Sequence, residues 1–150
     1  MEQTNDHSRF LVVENNANDA LLIRRALLTR GLCGLSAVCR NGSEARAYLL
    51  GAGMYADRAT YPMPNVILTD LLMDGETGTD LVEWIRAQEP PLCDLPVIIL
   101  TGSANPAQFE AAKKVGANKV LEKPARLEDL QALFEEMAVE FCGHRSAAAH

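Results

Sequence analysis

The sequence predicts an α/β domain built on a doubly wound five-stranded parallel sheet with helices on both faces. Two observations carry this prediction. Five short apolar runs alternate along the chain with segments of helical periodicity, and capping or turn residues separate them. Polar residues also follow the apolar runs closely, as expected where parallel strands end at one edge of a sheet.

The first apolar run, at residues 10–13, reads as a strand buried on both faces. Asn16 then caps a helix whose apolar positions recur at helical spacing. Residues 35–39 form the second predicted strand, and Ser43 caps the helix after it. Residues 51–65, with their glycines and prolines, are expected to form a long connection.

The third predicted strand, at residues 66–69, ends on Asp70. Gly75 and Gly78 mark a loop, and the next helix is expected over about residues 80–87.

The fourth predicted strand, at residues 96–100, is as apolar as the third. Asn105 opens a helix, because a proline follows it directly and a glutamine stands three residues on. Residues 119–122 form a less apolar fifth strand. Apolar residues at spacings of three and four then predict a last helix over residues 127–141.

The length of 150 residues fits one domain and leaves no room for a second of similar size. We expect residues 1–8 to be an N-terminal extension, residues 9–141 the folded domain, and residues 142–150 a flexible tail. The N-terminus has no apolar signal core, and no run is long enough for a membrane span.

A net charge of −6 disfavours direct binding to nucleic acids or to anionic membranes. The four cysteines, at positions 33, 39, 93 and 142, lack the spacing of a metal site and the density of a disulfide scaffold. We expect reduced, mostly buried thiols and a cytoplasmic protein.

Five residues with chemical potential stand at or just after the predicted strand ends: Glu14, Asn15, Asp70, Thr101 and Lys123. In a doubly wound sheet the carboxyl ends of the strands form the binding crevice, so we expect these side chains to converge. Strand-end carboxylates form a hard-oxygen site suited to Mg²⁺.

A carboxylate can serve as a nucleophile that forms an aspartyl phosphate, provided that the charge of the incoming group is neutralised. Mg²⁺ and Lys123 would supply that charge to a phosphoryl group on Asp70. The hydroxyl of Thr101 could donate to a phosphoryl oxygen only when one is present, and would therefore detect phosphorylation.

Over about residues 9–141 the chain resembles the response-regulator receiver family. The resemblance rests on four segments in order, namely LVVEN, VILTDLLMDGETG, VIILTGSA and LEKP. It implies the flavodoxin-like receiver fold and a phosphorelay switch, not an enzyme, in which Asp70 accepts a phosphoryl group from a histidine kinase.

The resemblance also assigns the remaining site residues. It places Glu14 and Asn15 at the acidic-pair positions of a Mg²⁺ site, which the backbone carbonyl of Leu72 and the carboxylate of Asp70 complete. It gives switch roles to Thr101 and Lys123, and it implies a cis bond between Lys123 and Pro124.

The partner implied by the resemblance is a sensor histidine kinase or a phosphotransfer protein. The long connection before the third strand is similar to that of single-domain regulators paired with phytochrome-type histidine kinases. The apolar stripe on the last helix also allows a homodimer through the fourth and fifth helices with their adjoining strands.

The chain departs from the family pattern at three positions. Asn15 replaces an acid, so Mg²⁺ is expected to bind weakly. Val120 replaces a switching aromatic residue, so an aromatic swing cannot be the readout. Asp74 stands where a proline is common.

Other interpretations compete with this one. Asp70 could be a strand-end cap, Thr101 an ordinary strand residue and Lys123 a surface charge. All three interpretations would have to be true at once for the site to be absent. Asn15 favours a pseudo-receiver, a binding module that works without phosphorylation. A phosphatase of the haloacid dehalogenase type would need an acid at Leu72, and a flavin-binding domain would need phosphate-cradling residues after the first strand.

Overall fold

The computed structural model describes residues 8–29, 33–73, 75–102 and 105–142. Its core is a five-stranded parallel sheet, and the predicted doubly wound fold is confirmed. The strands are β1 (Ser8–Val13), β2 (Cys33–Cys39), β3 (Val66–Asp70), β4 (Val97–Thr101) and β5 (Lys119–Glu122). The helices are α1 (Ala17–Leu28), α2 (Gly42–Leu50), α3 (Gly78–Arg86), α4 (Pro106–Lys114) and α5 (Leu127–Cys142).

The strands lie in the order β2-β1-β3-β4-β5. The order reverses beside β1, and in doubly wound sheets this switch point opens the crevice at the carboxyl ends of the strands.

Burial on both faces explains why β1 is apolar throughout. Leu11 and Val13 belong to the core between the sheet and α2, α3 and α4. Phe10 and Val12 belong to the second core, between the sheet and the pair α1 and α5. Alternate residues of a strand point to opposite faces, so a sheet covered by helices on both sides needs apolar residues at every position.

Side-chain caps fix the helix starts. The predicted caps Asn16 and Asn105 are confirmed, since each side chain accepts from a backbone N–H three residues on. The prediction that Ser43 caps α2 is wrong: Asn41 accepts from the N–H of Glu44 and the helix begins at Gly42. An Asn-Gly pair favours a turn, but the same asparagine is also a good N-cap.

The α3 helix begins earlier than expected, at Gly78. Thr77 is its cap, and Thr77 and Asp80 bond reciprocally to each other's backbone N–H. Such a capping box fixes the first turn two residues before the predicted start.

The connection at residues 51–65 is held by aromatic packing. Tyr55 and Tyr61 pack on Tyr48 of α2, with ring centroids 5.0 and 6.1 Å away. Arg58 donates to the carbonyls of Leu49 and Tyr61 and lies over the Tyr48 ring. The connection is therefore a packed part of the fold.

At the amino-terminal edge of the sheet, Arg86 joins the end of α3 to the segments before β4 and β5. Its guanidinium donates to the carbonyls of Cys93, Leu95 and Gly116 and to the amide oxygen of Asn118, at 2.7–3.1 Å. Burial lowers the pKa of this guanidinium. Gly116 has a φ of +114°, a conformation that favours glycine.

Two of the four cysteines have described side chains, and both are free. Cys39 is buried, and this burial raises the pKa of its thiol to about 12. Cys93 is partly exposed.

The predicted extension (residues 1–8) and tail (residues 142–150) lie outside the described residues except at their inner ends, where Ser8 begins β1 and Cys142 ends α5. Within the described ranges, every helix is too short or too polar to cross a bilayer.

Candidate functional site

Strand pairing brings the predicted site residues to one edge of the sheet. Val13 of β1 pairs with Thr69 of β3. Glu14, which follows β1, and Asp70, which ends β3, therefore lie at the same edge of the sheet. On the other side of β3, Thr101 ends β4 and pairs with Glu122 of β5. The backbone N–H of Lys123 donates to the Thr101 carbonyl at 2.7 Å. The predicted convergence of Glu14, Asp70, Thr101 and Lys123 therefore follows from the register.

The ammonium of Lys123 lies among three carboxylates. Its Nζ donates to Glu14 Oε1 and to Asp19 Oδ2, each at 3.0 Å, and lies 3.8 Å from Asp70 Oδ2. The Glu14 side chain is 1% exposed and that of Lys123 is 14% exposed. The centre of the site is thus a nearly buried cation with three anionic neighbours.

Asp19 was not among the predicted site residues. It lies in the first turn of α1, where its backbone N–H donates to the Asn16 cap. This cap places Asp19 at the edge of the sheet where β1 ends. An acid three residues after a strand-end cap was the sequence signal that could have identified it.

The charges of Glu14 and Lys123 depend on each other. Burial raises the pKa of Glu14, and hydrogen bonds from Lys123 and from the N–H of Asn16 oppose this effect only in part. Burial alone would lower the pKa of Lys123, but its bonds to Glu14 and Asp19 and the charge of Asp70 outweigh burial and raise it. Lys123 therefore stays protonated at neutral pH.

The Asp70 carboxylate faces both the backbone and the ammonium. Its Oδ1 accepts from the N–H of Leu71 at 2.7 Å, while its Oδ2 faces Lys123. The first residue of α3 approaches the backbone here: a Cβ at Gly78 would lie 2.4 Å from the Asp70 carbonyl oxygen. Only glycine fits this contact without moving the backbone that carries Asp70.

Thr101 is buried at the end of β4, next to the strand that ends on Asp70. Gly102 follows it, and a Cβ at this position would meet nothing within 4 Å. The end of β4 therefore borders open space beside a packed site.

Asn15 and Leu72 lie at the rim. Asn15 is exposed and lines a cavity of about 400 Å³ between α1 and the end of β2. Arg24 and Arg40 line the same cavity. Asn15 takes no part in the bonds that join Lys123 to the described carboxylates. Leu72 has an exposed side chain and begins a two-residue ladder with Thr77.

The described residues contain no group of three histidine, cysteine, aspartate or glutamate side chains arranged as ligands of one metal ion. Of the three acids around Lys123, Glu14 and Asp70 are the ones predicted as metal ligands, and the ammonium lies between them. Such a donor set fits a hard divalent ion only if amide, carbonyl or water oxygens complete the coordination, which is the usual arrangement for Mg²⁺.

The peptide bond after Lys123 differs from the sequence-based expectation. The prediction of a cis Lys123–Pro124 bond is wrong: this bond is trans, and the cis bond of the described chain lies between Pro90 and Pro91. Trans is the usual isomer before proline, and Lys123 reaches its acidic partners with it. Of the other positions that depart from the family pattern, Val120 is buried in β5, whereas Asp74 lies outside the described residues.

A second ion pair anchors the short hairpin that follows Asp70, in which Leu72–Met73 pairs with Glu76–Thr77. Arg46 of α2 donates to both carboxylate oxygens of Glu76, one of them at 2.9 Å. This bonding raises the pKa of Arg46. The guanidinium carbon lies 5.8 Å from the centroid of the Trp84 ring on α3. The pair therefore ties the hairpin to two helices, and the sequence pattern gave no indication of it.

Comparison with known proteins identifies related chains. A sequence profile of the response regulator receiver domain matches residues 10–135. Response regulator Rcp1 of Synechocystis sp. is 31% identical over 129 residues, which make up 86% of this chain and 85% of Rcp1.

Solved structures agree with the sequence matches. The phosphorylated cyanobacterial phytochrome response regulator RcpA is similar with a TM-score of 0.77 and 28% identity, covering 91% of this chain and 95% of RcpA. The Mn(2+)-bound form of response regulator Rcp1 gives a TM-score of 0.75 and 29% identity, covering 91% and 96% of the two chains. Both matches span most of this chain and nearly all of the related one.

Proposed function

The chain belongs to the response regulator receiver family, and from this membership we propose that Asp70 is the residue that accepts its phosphoryl group. The protein is a phosphorelay response regulator of two-component signal transduction. The observation that carries the assignment of Asp70 is the Lys123 ammonium, 3.8 Å from Asp70 Oδ2 in a nearly buried site. A buried cation is what an incoming phosphoryl group requires.

The proposed reaction forms one bond and breaks one bond. Oδ2 of Asp70 attacks phosphorus, and the bond from phosphorus to the histidine nitrogen or carboxylate oxygen of the donor breaks and its electron pair leaves with the donor. Lys123 donates to a phosphoryl oxygen and offsets the added charge. The Thr101 hydroxyl, one strand away, donates to a second phosphoryl oxygen.

We propose Mg²⁺ as the metal, held by Glu14, Asp70, the Leu72 carbonyl and the amide oxygen of Asn15. When bound, it would add positive charge beside the phosphoryl group. The Mn(2+)-bound form of Rcp1 supports a divalent ion in this chain. Asn15 supplies a neutral oxygen where a carboxylate would supply a charge, so binding is expected to be weak.

The acceptor assignment is tested by incubating the full chain with acetyl phosphate and Mg²⁺ and measuring intact mass. We expect one added phosphoryl group in the parent and none in Asp70→Asn. Asp94→Asn, an exposed acid in the turn before β4, is the matched control and should be labelled like the parent. Labelling of Asp70→Asn would place the acceptor elsewhere, and an unlabelled parent would favour a phosphorylation-independent binding module.

We propose that the phosphoryl donor is a sensor histidine kinase or a phosphotransfer protein. The similarity to a phytochrome response regulator supports a kinase of the phytochrome type. We propose that the chain acts as a signalling domain and not as an enzyme, and the free thiols of Cys39 and Cys93 support a cytoplasmic location.

A homodimer through α4, β5 and α5 is part of the proposal. A groove of about 330 Å³ lies between β5 and α5, lined by Leu121, Pro124 and Leu133 among others. Val139 adds an exposed apolar side chain on α5. Light scattering with and without a phosphoryl mimic should detect the dimer, and a monomer in both states would exclude it.

A further inference from the structure

We propose that Asp19 is the resting-state partner of Lys123, and that Lys123 leaves Asp19 when Asp70 is phosphorylated. This makes Asp19 a positioning residue, which acts on the site through Lys123. The proposal deepens the function proposed above and depends on phosphorylation of Asp70.

The distances show which bonds Lys123 makes at rest. Its Nζ lies 3.0 Å from both Glu14 Oε1 and Asp19 Oδ2, which are hydrogen-bond distances. Asp70 Oδ2, at 3.8 Å, is within ion-pair range but beyond a hydrogen bond. The ammonium is therefore held at rest by its two other acids, and the added negative charge of a phosphoryl group on Asp70 attracts it away from them.

The burial of the two acids decides which bond is lost. The Glu14 side chain is 1% exposed, and loss of its cation would leave a buried carboxylate unpaired. The Asp19 side chain is 41% exposed, so water can replace the ammonium. Asp19 and Lys123 also line one cavity of about 300 Å³, which reaches Gly102. Giving up Asp19 is the less costly step.

The position of Asp19 on α1 lowers this cost further. It lies in the first turn, where the helix dipole favours a negative charge without help from a lysine. Its N–H bond to Asn16 uses the backbone, so the turn stays capped after Lys123 leaves. Phosphorylation would thus release an unpaired carboxylate on the first turn of α1, where a partner could detect it.

The exchange is tested with beryllofluoride and Mg²⁺, a mimic of the phosphorylated state, by fluorine NMR titration of the full chain. Asp19→Asn removes the competing acid, and we expect about two- to five-fold tighter binding than in the parent, the effect of losing one partly exposed ion pair. Glu83→Gln, the same charge change on the exposed face of α3, should leave binding unchanged. Equal or weaker binding by Asp19→Asn would refute the proposal, since removal of the competing acid would then not have freed Lys123.

The resting pair is tested independently by a double-mutant cycle of Asp19→Asn and Lys123→Met in urea unfolding with a metal chelator. We expect a coupling of about two- to five-fold in the folding equilibrium constant. No coupling would show that the pair does not form and would overturn the proposal. If the parent failed to bind beryllofluoride, both the proposed function and the release of Asp19 would be refuted. The double-mutant cycle would still show whether Asp19 and Lys123 pair at rest.

Discussion

Replacing Lys123 by methionine tests how the site is held together. Methionine keeps much of the side-chain length but removes the charge and all donors. Glu14, buried at 1% exposure, then loses the ammonium at 3.0 Å, and Asp70 loses the one at 3.8 Å. The variant therefore leaves a buried carboxylate close to a second acid without a cation between them.

The expected cost follows from this burial. Removing one partner of a fully buried ion pair costs about 3–5 kcal/mol of unfolding free energy. Lys123 is 14% exposed at the edge of the sheet, so water can offset part of the loss. We expect about 3 kcal/mol at neutral pH, at the lower end of that range.

The loss should depend on pH, with a defined sign. The folded-state pKa of Glu14 already lies above its ordinary value of 4.5, because burial outweighs its hydrogen bonds, and removing Lys123 raises it further. A group with a raised folded pKa favours the folded state below its ordinary pKa, and this stability is lost as the pH rises through the folded pKa. The penalty in Lys123→Met should therefore be largest near pH 8 and shrink towards pH 4.5.

The parent should behave differently over the same range. Burial opposes the charge of Lys123, but its acidic partners raise its folded pKa above 10.5. Its contribution to stability is therefore fully present at neutral and mildly acidic pH and is lost only as the pH rises through that raised pKa.

The measurement is urea unfolding of both proteins from about pH 5 to about pH 8 with a metal chelator. Lys119→Met is the matched control, because Lys119 pairs with Glu140 at 3.4 Å on the surface, with side chains 37% and 51% exposed. This control should lose less than about 1 kcal/mol at every pH. Equal losses in the two variants, or a loss in Lys123→Met that does not shrink at low pH, would refute the reasoning.

Three further substitutions test other parts of the structure. Asn15→Asp should tighten Mg²⁺ binding about tenfold by adding a carboxylate, and equal affinities in calorimetry would place Asn15 outside the metal site. Arg86→Lys should lower the free energy of unfolding by about 2 kcal/mol in urea, because an ammonium has three donors and cannot replace the five hydrogen bonds that the guanidinium donates. Arg24→Lys, at an exposed position, is the control and should be near neutral. Gly78→Ala should cost about 2 kcal/mol or more because its Cβ would meet backbone 2.4 Å away, and a loss no larger than that of Gly102→Ala, which has open space, would contradict this.

The fold could be predicted because burial on both faces leaves a strong sequence signal. The apolar runs of β1, β3 and β4 need no tertiary information to be recognised, and their polar ends mark the edge of the sheet. The start of α2 could not be decided this way, since Asn41 can serve equally as a turn residue and as a cap. The local sequence favours both, and packing selects one.

The site residues that were predicted have a local sequence signal, and those that were missed depend on tertiary packing. Glu14, Asp70 and Lys123 stand directly at strand ends, so topology alone brings them together. Asp19 stands one helical turn further on, and its role depends on how far the lysine side chain reaches. The Arg46 pair joins segments 30 residues apart and leaves no local signal at all.

The packing of Arg46 places a positive charge beside the indole ring of Trp84, whose fluorescence is sensitive to it. Trp84 is the only tryptophan in the chain, and its ring lies beside the guanidinium that Glu76 holds. Glu76 belongs to the hairpin directly after Asp70, so a shift of that hairpin changes the distance between a cation and the indole. Indole emission responds to nearby charge, so we expect it to follow a movement of this hairpin in the unlabelled chain, in real time and without an introduced dye.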